Sequence, residues 1–267
     1  MPKDAAKPPE GLAFLALVGK MEDSCEATSK KALRKLGKQA PECQAALGTV
    51  LSLLDRVGSC WWSCPGGEYE GHLLQYMAAR GSSYGRAALR LAMLGFYDEA
   101  LAIVRSMGEL ANLLTLFQTD PPTLIEWRSS DHKKRRSAYQ PGHIRRRLSE
   151  LGTAPPMNDT SYSLLCELST HPVPELRPQA FNQHGITTVG GRYQPVGLLL
   201  VLNETAVLAS VILLFSALLC NVPKEHLKSI HQASVDCVNA AGGVSLSSLP
   251  DLFDKLRSDP NDAHTLS

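Results

Sequence analysis

The chain lacks an excess of either charge: 27 lysines and arginines stand against 26 aspartates and glutamates in 267 residues, leaving it near neutral at +1. That removes any global attraction to nucleic acid or anionic lipid, so such a contact has to come from a local patch. A Gly-rich phosphate loop, HExxH, GxSxG and a dinucleotide fingerprint are all missing, and with them the enzyme classes they mark and any expectation of a cofactor. No repeat recurs at a solenoid period. The seven cysteines, Cys25, Cys43, Cys60, Cys64, Cys166, Cys220 and Cys237, are odd in number and scattered through helical patterns, which argues against a disulfide framework and for a reducing, cytoplasmic setting. Cys60-Trp61-Trp62-Ser63-Cys64 with His72 nearby has paired-ligand spacing, but a second cysteine pair is missing, so no metal site is expected.

A long uninterrupted hydrophobic run is also lacking. Val196 to Cys220 is apolar apart from Asn203, Glu204, Thr205 and serines, and its unbroken part, Ala206 to Cys220, falls short of the ~20 residues of a membrane span. The expectation is a central core helix and no membrane contact, with Glu204 near a helix start or paired with a base.

What remains is a 44% hydrophobic chain with helical periodicity nearly throughout, long enough for a sizeable core. Helices are predicted over 24–38, 42–62, 69–94 with a potential kink at Gly81-Ser82-Ser83, 97–118, 123–137, 142–151, 158–171, 196–220 and 223–241. Capping and breaking residues fix several ends: Pro41, Gly95, Asp98-Glu99, Asp120-Pro121-Pro122, Asn158 and Pro172. Prolines and glycines from Pro172 to Pro195 mark a long loop with at most a small hairpin at Gly185 to Tyr193. The fold class is all-α, a helical bundle of about seven or eight helices around the apolar C-terminal helix. The organisation is a flexible N-terminal segment over 1–22, a single helical domain over 23–258 and a disordered tail over 259–267.

Two helices carry polar residues at spacings that invite chemistry. Arg105, Glu109 and Asn112 fall at i, i+4 and i+7 in a leucine-rich helix, which is either an ordinary solvated edge or a cleft-lining cluster. Glu167 and His171 lie one turn apart before Pro172, so the histidine is either a helix-end cap or a proton-transfer group. A third feature is basic. From Glu126 to Leu151 eight basic residues face three acidic ones, a local +5, with Lys133, Lys134, Arg135, Arg136, Arg145, Arg146 and Arg147 flanking Tyr139 and His143. Such a cluster is either a solvated hairpin or a nucleic-acid contact in which an aromatic ring lies beside phosphate-binding arginines.

Arg105-Ser106-x-x-Glu109, followed some sixty positions later by Tyr162-x-x-Leu165-x-x-Leu168-Ser169 with His171-Pro172, resembles a widespread family of helical bacterial proteins known only as a domain of unknown function. Its hallmarks are an Arg-x-x-x-Glu helix, a Tyr-x-x-Leu-Ser-x-x-His helix and an apolar C-terminal helix, and the match runs from about Leu73 to Cys220. One residue separates Ser169 from His171 where the family has two. The family is distantly similar to the HEPN class of toxin and phage-defence bundles, whose nuclease members use Arg-x(4 to 6)-His. The pairs Arg136/His143, Arg177/His184 and Arg257/His264 have that spacing, but proline interrupts the first two and the third lies in the tail. The resemblance implies an interaction or effector module of a stress or phage-defence system, acting through RNA or a protein partner; self-association is a further expectation, and the basic patch leaves RNA or DNA open. The alternative is an enzyme whose polar site is formed by Arg105, Glu109, Glu167 and His171.

Overall fold

Apolar side chains recurring at three- and four-residue steps become ten helices in a computed structural model that describes residues 11–36, 39–62, 72–169, 191–242 and 245–246. Among the described residues there is no strand, so the fold is all-α. In chain order the helices are α1 (Leu12–Leu33), α2 (Gln39–Gly58), α3 (Leu73–Met93), α4 (Tyr97–Thr119), α5 (Pro121–Ser129), α6 (His132–Ala138), α7 (Pro141–Glu150), α8 (Asp159–Ser169), α9 (Pro195–Leu219) and α10 (Lys224–Ala240).

Among the described residues there are ten helices rather than the seven or eight expected; one is added by a local split and another begins earlier than the sequence places it. The basic segment that reads as one helix over 123–137 is two, because Ser130 is extended and Asp131 starts α6 by accepting a hydrogen bond from the Lys134 backbone N–H at 2.7 Å. Upstream, α1 begins at Leu12 and runs through the region where the sequence places the start of a basic helix, at Ser24. It lies against α3, where Arg90 reaches Glu26 at 2.6 Å, and leaves Phe14, Leu15, Leu17 and Met21 exposed.

Helix α9 packs against α2, α3, α4 and α10. With apolar residues on every face it buries Leu198, Leu200, Val201, Ala206, Ala209, Ile212, Leu213 and Ala217 completely. Among the described residues α4 and α9 are the helices long and apolar enough to cross a membrane, yet 61% and 67% of their most apolar stretches are buried, as in core helices. Glu204 departs from expectation. It sits well inside α9 rather than at its start, and its carboxylate accepts the Leu246 backbone N–H at 2.9 Å instead of meeting a base. Burial makes it a weaker acid, pushing its pKa up.

Small residues let α9 approach its neighbours. Helix α3 is continuous through Gly81-Ser82-Ser83, so these residues make no break in it; Gly81 faces Ile212 of α9, and Ser82 donates to the Leu51 carbonyl at 3.2 Å. Gly197 meets the Tyr97 ring, with a Cβ placed there only 2.7 Å from it. Tyr97, fully buried at the start of α4, accepts the Gln194 N–H at 2.9 Å and so fixes the entry to α9. Gly95 turns the chain from α3 into α4 with φ +85°, a conformation that costs glycine least.

Candidate functional site

The two polar stripes meet where α4 packs against α8. Arg105 and Glu109 are one turn apart on α4, and Tyr162 and Cys166 are one turn apart on α8, so both helices present two polar groups at the same pitch. The Tyr162 hydroxyl donates to Glu109 Oε1 at 3.2 Å, and an Arg105 guanidinium nitrogen contacts Cys166 Sγ at 3.5 Å. Arg105 Nε lies 3.7 Å from Glu109 Oε1, an ion pair too long for a hydrogen bond. Two guanidinium groups approach the Tyr162 ring, Arg105 at 5.7 Å and Arg145 of α7 at 4.2 Å. Burial disfavours the Arg105 charge, but Cys166, Tyr162 and Glu109 more than offset it, and the guanidinium holds its proton more tightly than usual. Burial, followed by the Glu109 charge, pushes the Tyr162 phenol up, so it stays a hydrogen-bond donor.

Asn112, the third residue of the α4 stripe, has a structural role. Its amide donates to the Met157 carbonyl and accepts the Met157 N–H, both at 2.9 Å, pinning the α7–α8 connection to α4. Arg145, 7% exposed, donates to Asp159 Oδ1 at 2.6 Å at the start of α8.

Arg105 and Glu109 are therefore brought to the second motif helix, but Glu167 is not brought to them. Tyr162, Leu165, Cys166 and Ser169 share the face of α8 turned toward the protein, whereas Ser163 and Glu167 rotate out and are exposed. Among the described residues Glu167 makes no contact with Arg105 or Glu109. His171 lies outside the described residues, as do Cys64, the hairpin expected from Gly185, the 259–267 tail, and the Arg177/His184 and Arg257/His264 pairs. The groups missed by sequence reasoning are Tyr162 and Cys166 as a pair, Arg145 with Asp159, and Asn112 with Met157. The repeated four-residue spacing on α4 and α8 is the one signal that points to the first of these.

The basic segment divides by environment. Lys133, Lys134 and Arg136 on α6 and Arg146 on α7 are exposed, and α6 buries no residue at all. Lys134 reaches Glu126 at 2.9 Å, and its ammonium holds that carboxyl below the usual range. Arg135 donates to the Ser130 carbonyl. Arg147 meets Asp120 at 2.6 Å, where the Thr123 hydroxyl first and the Arg147 guanidinium second hold the carboxyl low. Arg136 and His143 stand on separate helices, α6 ending at Ala138 and α7 starting at Pro141, and His143 Nδ1 sits 2.7 Å from the Ser137 carbonyl. Among the described residues no group of three metal-ligating side chains converges. No protein-family model, curated protein or solved structure matches the chain.

Proposed function

We propose that the chain is a helical interaction module whose α6–α7 hairpin offers a cationic surface to single-stranded RNA, the class of partner that the effector-family resemblance also suggests. The observation that carries this reading is α6 itself. It is a seven-residue helix with four consecutive basic residues and no buried side chain. So short a helix is marginal alone, yet it is fixed by the Asp131 cap, by Arg135 on the Ser130 carbonyl and by His143 on the Ser137 carbonyl. Order without burial suits presentation to a partner. Lys133 and Arg136, which form no ion pair among the described residues, and Arg146, held only by a 4.0 Å contact to Glu150, are the cations open to phosphate.

The enzyme reading gains no matching observation, since Glu167 faces away from the Arg105 cluster. The test is fluorescence anisotropy with labelled single-stranded RNA and DNA over a salt series. Replacing Lys133, Arg136 and Arg146 by Glu is expected to weaken binding and to reduce the log–log salt slope by about 2, since each neutralised phosphate of a single strand contributes ~0.7. Absence of binding at about 50 mM salt overturns the RNA reading and leaves a protein partner or self-association.

A further inference from the structure

Outside the α4–α8 cluster, a thiol just past the end of α2 lies on an imidazole at the start of α3. Cys60 Sγ lies 3.4 Å from His72 Nδ1, and both residues are half-buried. Cys60 adopts the left-handed region at φ +57°, which carries its side chain off the axis of α2. His72 is the N-cap residue of α3, whose first turn holds no acidic residue, so an anion beside it is favoured. The surroundings are aromatic and cationic. Trp61 is 71% exposed, Trp62 stacks on His226 of α10 at 5.2 Å, and the Arg56 guanidinium stands 5.8 Å and 5.9 Å from the two indole rings.

We infer that Cys60 and His72 form a thiol–imidazole dyad that adds to flat α,β-unsaturated carbonyl compounds, making this a covalent modification site for soft electrophiles. The Cys60 proton passes to His72 Nδ1. The sulfur then attacks the β-carbon, an S–C bond forms, and the π-electron pair of the C=C bond moves onto the α-carbon and carbonyl as an enolate. His72 returns its proton to the α-carbon and is neutral again. The addition is complete with nothing oxidised and no leaving group. A conjugated planar molecule matches Trp61, against which it can stack, and Arg56, which can meet its carbonyl oxygen.

Other thiols set the contrast. Burial pushes Cys43 and Cys220 up to about 12 and also raises Cys25 and Cys237, so these four are poor nucleophiles near neutral pH. Cys166, half-buried against Arg105, is the rival. Among the described residues His72 at α3 and Cys220 at the end of α9 act on Cys60, while Arg56 of α2 stands over the ring of the next residue, Trp61, and His226 of α10 stacks on Trp62.

The folded full chain, treated with less than one equivalent of N-ethylmaleimide between about pH 5.5 and 8, digested and mapped by mass spectrometry, reads this directly. Cys60 is expected to take most of the label, with a rate nearly flat through the lower half of that range. His72→Gln is expected to slow Cys60 about tenfold at the acid end while leaving Cys166 unchanged. Cys60→Ser is expected to remove the fast phase. The inference is overturned if Cys166 leads, if the wild-type Cys60 rate climbs tenfold per pH unit as an ordinary thiol does, or if a folded His72→Gln chain reacts like wild type. Should His72→Gln fail to fold, the wild-type pH–rate profile decides alone.

Discussion

Three consecutive arginines, Arg145, Arg146 and Arg147, are predicted to differ sharply when each is replaced by alanine. Arg145 is 7% exposed, bonded to Asp159 and stacked on Tyr162. Its loss removes two methylene groups, Cγ and Cδ, from a packed site, roughly 1.6 kcal/mol at ~0.8 each. It also removes a charge-assisted hydrogen bond and a cation–π contact, together about 2 kcal/mol, taken at the low end because Asp159 is 80% exposed and water replaces its partner. Against this, one buried guanidinium nitrogen of Arg145 has no hydrogen-bond partner, and freeing it returns about 1 to 2 kcal/mol. The net expectation for Arg145→Ala is about 2 kcal/mol, a fall in Tm of roughly 4–8 °C for a chain of this size. Arg147, 41% exposed and paired with Asp120, should cost about 0.5–1 kcal/mol, and Arg146, 65% exposed, less than about 0.5. Thermal and urea unfolding followed by far-ultraviolet circular dichroism measure all three. Equal effects at Arg145 and Arg146, or an unchanged midpoint for Arg145→Ala, would refute the assignment of Arg145 to the interior.

Asn112→Ala leaves the Met157 N–H and carbonyl without their partner and should cost roughly 2–4 kcal/mol in urea unfolding; a loss below about half a kcal/mol would sink the pinning role. Gly197→Ala drives a Cβ to 2.7 Å from the Tyr97 ring and should destabilise by about 1–3 kcal/mol through overpacking, read as a lower Tm. Glu204 has a raised folded pKa, so its protonated form stabilises the fold fully below the unfolded value near 4.5, and that contribution is lost as pH rises through the folded value. Glu204→Gln, which keeps the acceptor for Leu246, should therefore raise Tm more at pH 8 than at about pH 4, and the opposite ordering would reject the account.

Element boundaries are legible where one physical signal dominates. Helix α4 opens on Asp98 and Glu99 and closes at Asp120-Pro121, and α9 is apolar on all sides, so its place among the other helices follows from composition. Signals with two meanings mislead. Gly81-Ser82-Ser83 reads as a weak point in a helix, but small side chains also permit close helix approach, and the position of α9 makes the second meaning the operative one. Ser130-Asp131 within a charged run reads as helix surface until the Asp131 carboxylate is found on the Lys134 N–H. A buried carboxylate needs a partner, which in sequence favours a helix start or a nearby base for Glu204; the need is real, and a backbone N–H from distant Leu246 meets it.

The candidate sites follow the same logic at the level of helix rotation. Spacing tells which residues of a helix share a face, but an exchange of one position turns a side chain by about 100°. On α8 that step separates Cys166, held against Arg105, from Glu167 in solvent, so a motif that names the acid can miss the residue that makes the contact. On α7 it sends three identical arginines in three directions: Arg145 to Tyr162 and Asp159, Arg147 to Asp120, Arg146 to water. A cluster of like charges in sequence is thus several functions in space. Replacing all three by Glu would bury a carboxylate beside Asp159, and a failure to bind RNA would then report a damaged fold as readily as missing cations. The exposed set, Lys133, Arg136 and Arg146, separates the two, because removing cations that hold nothing in place can weaken binding only if they touch the phosphates.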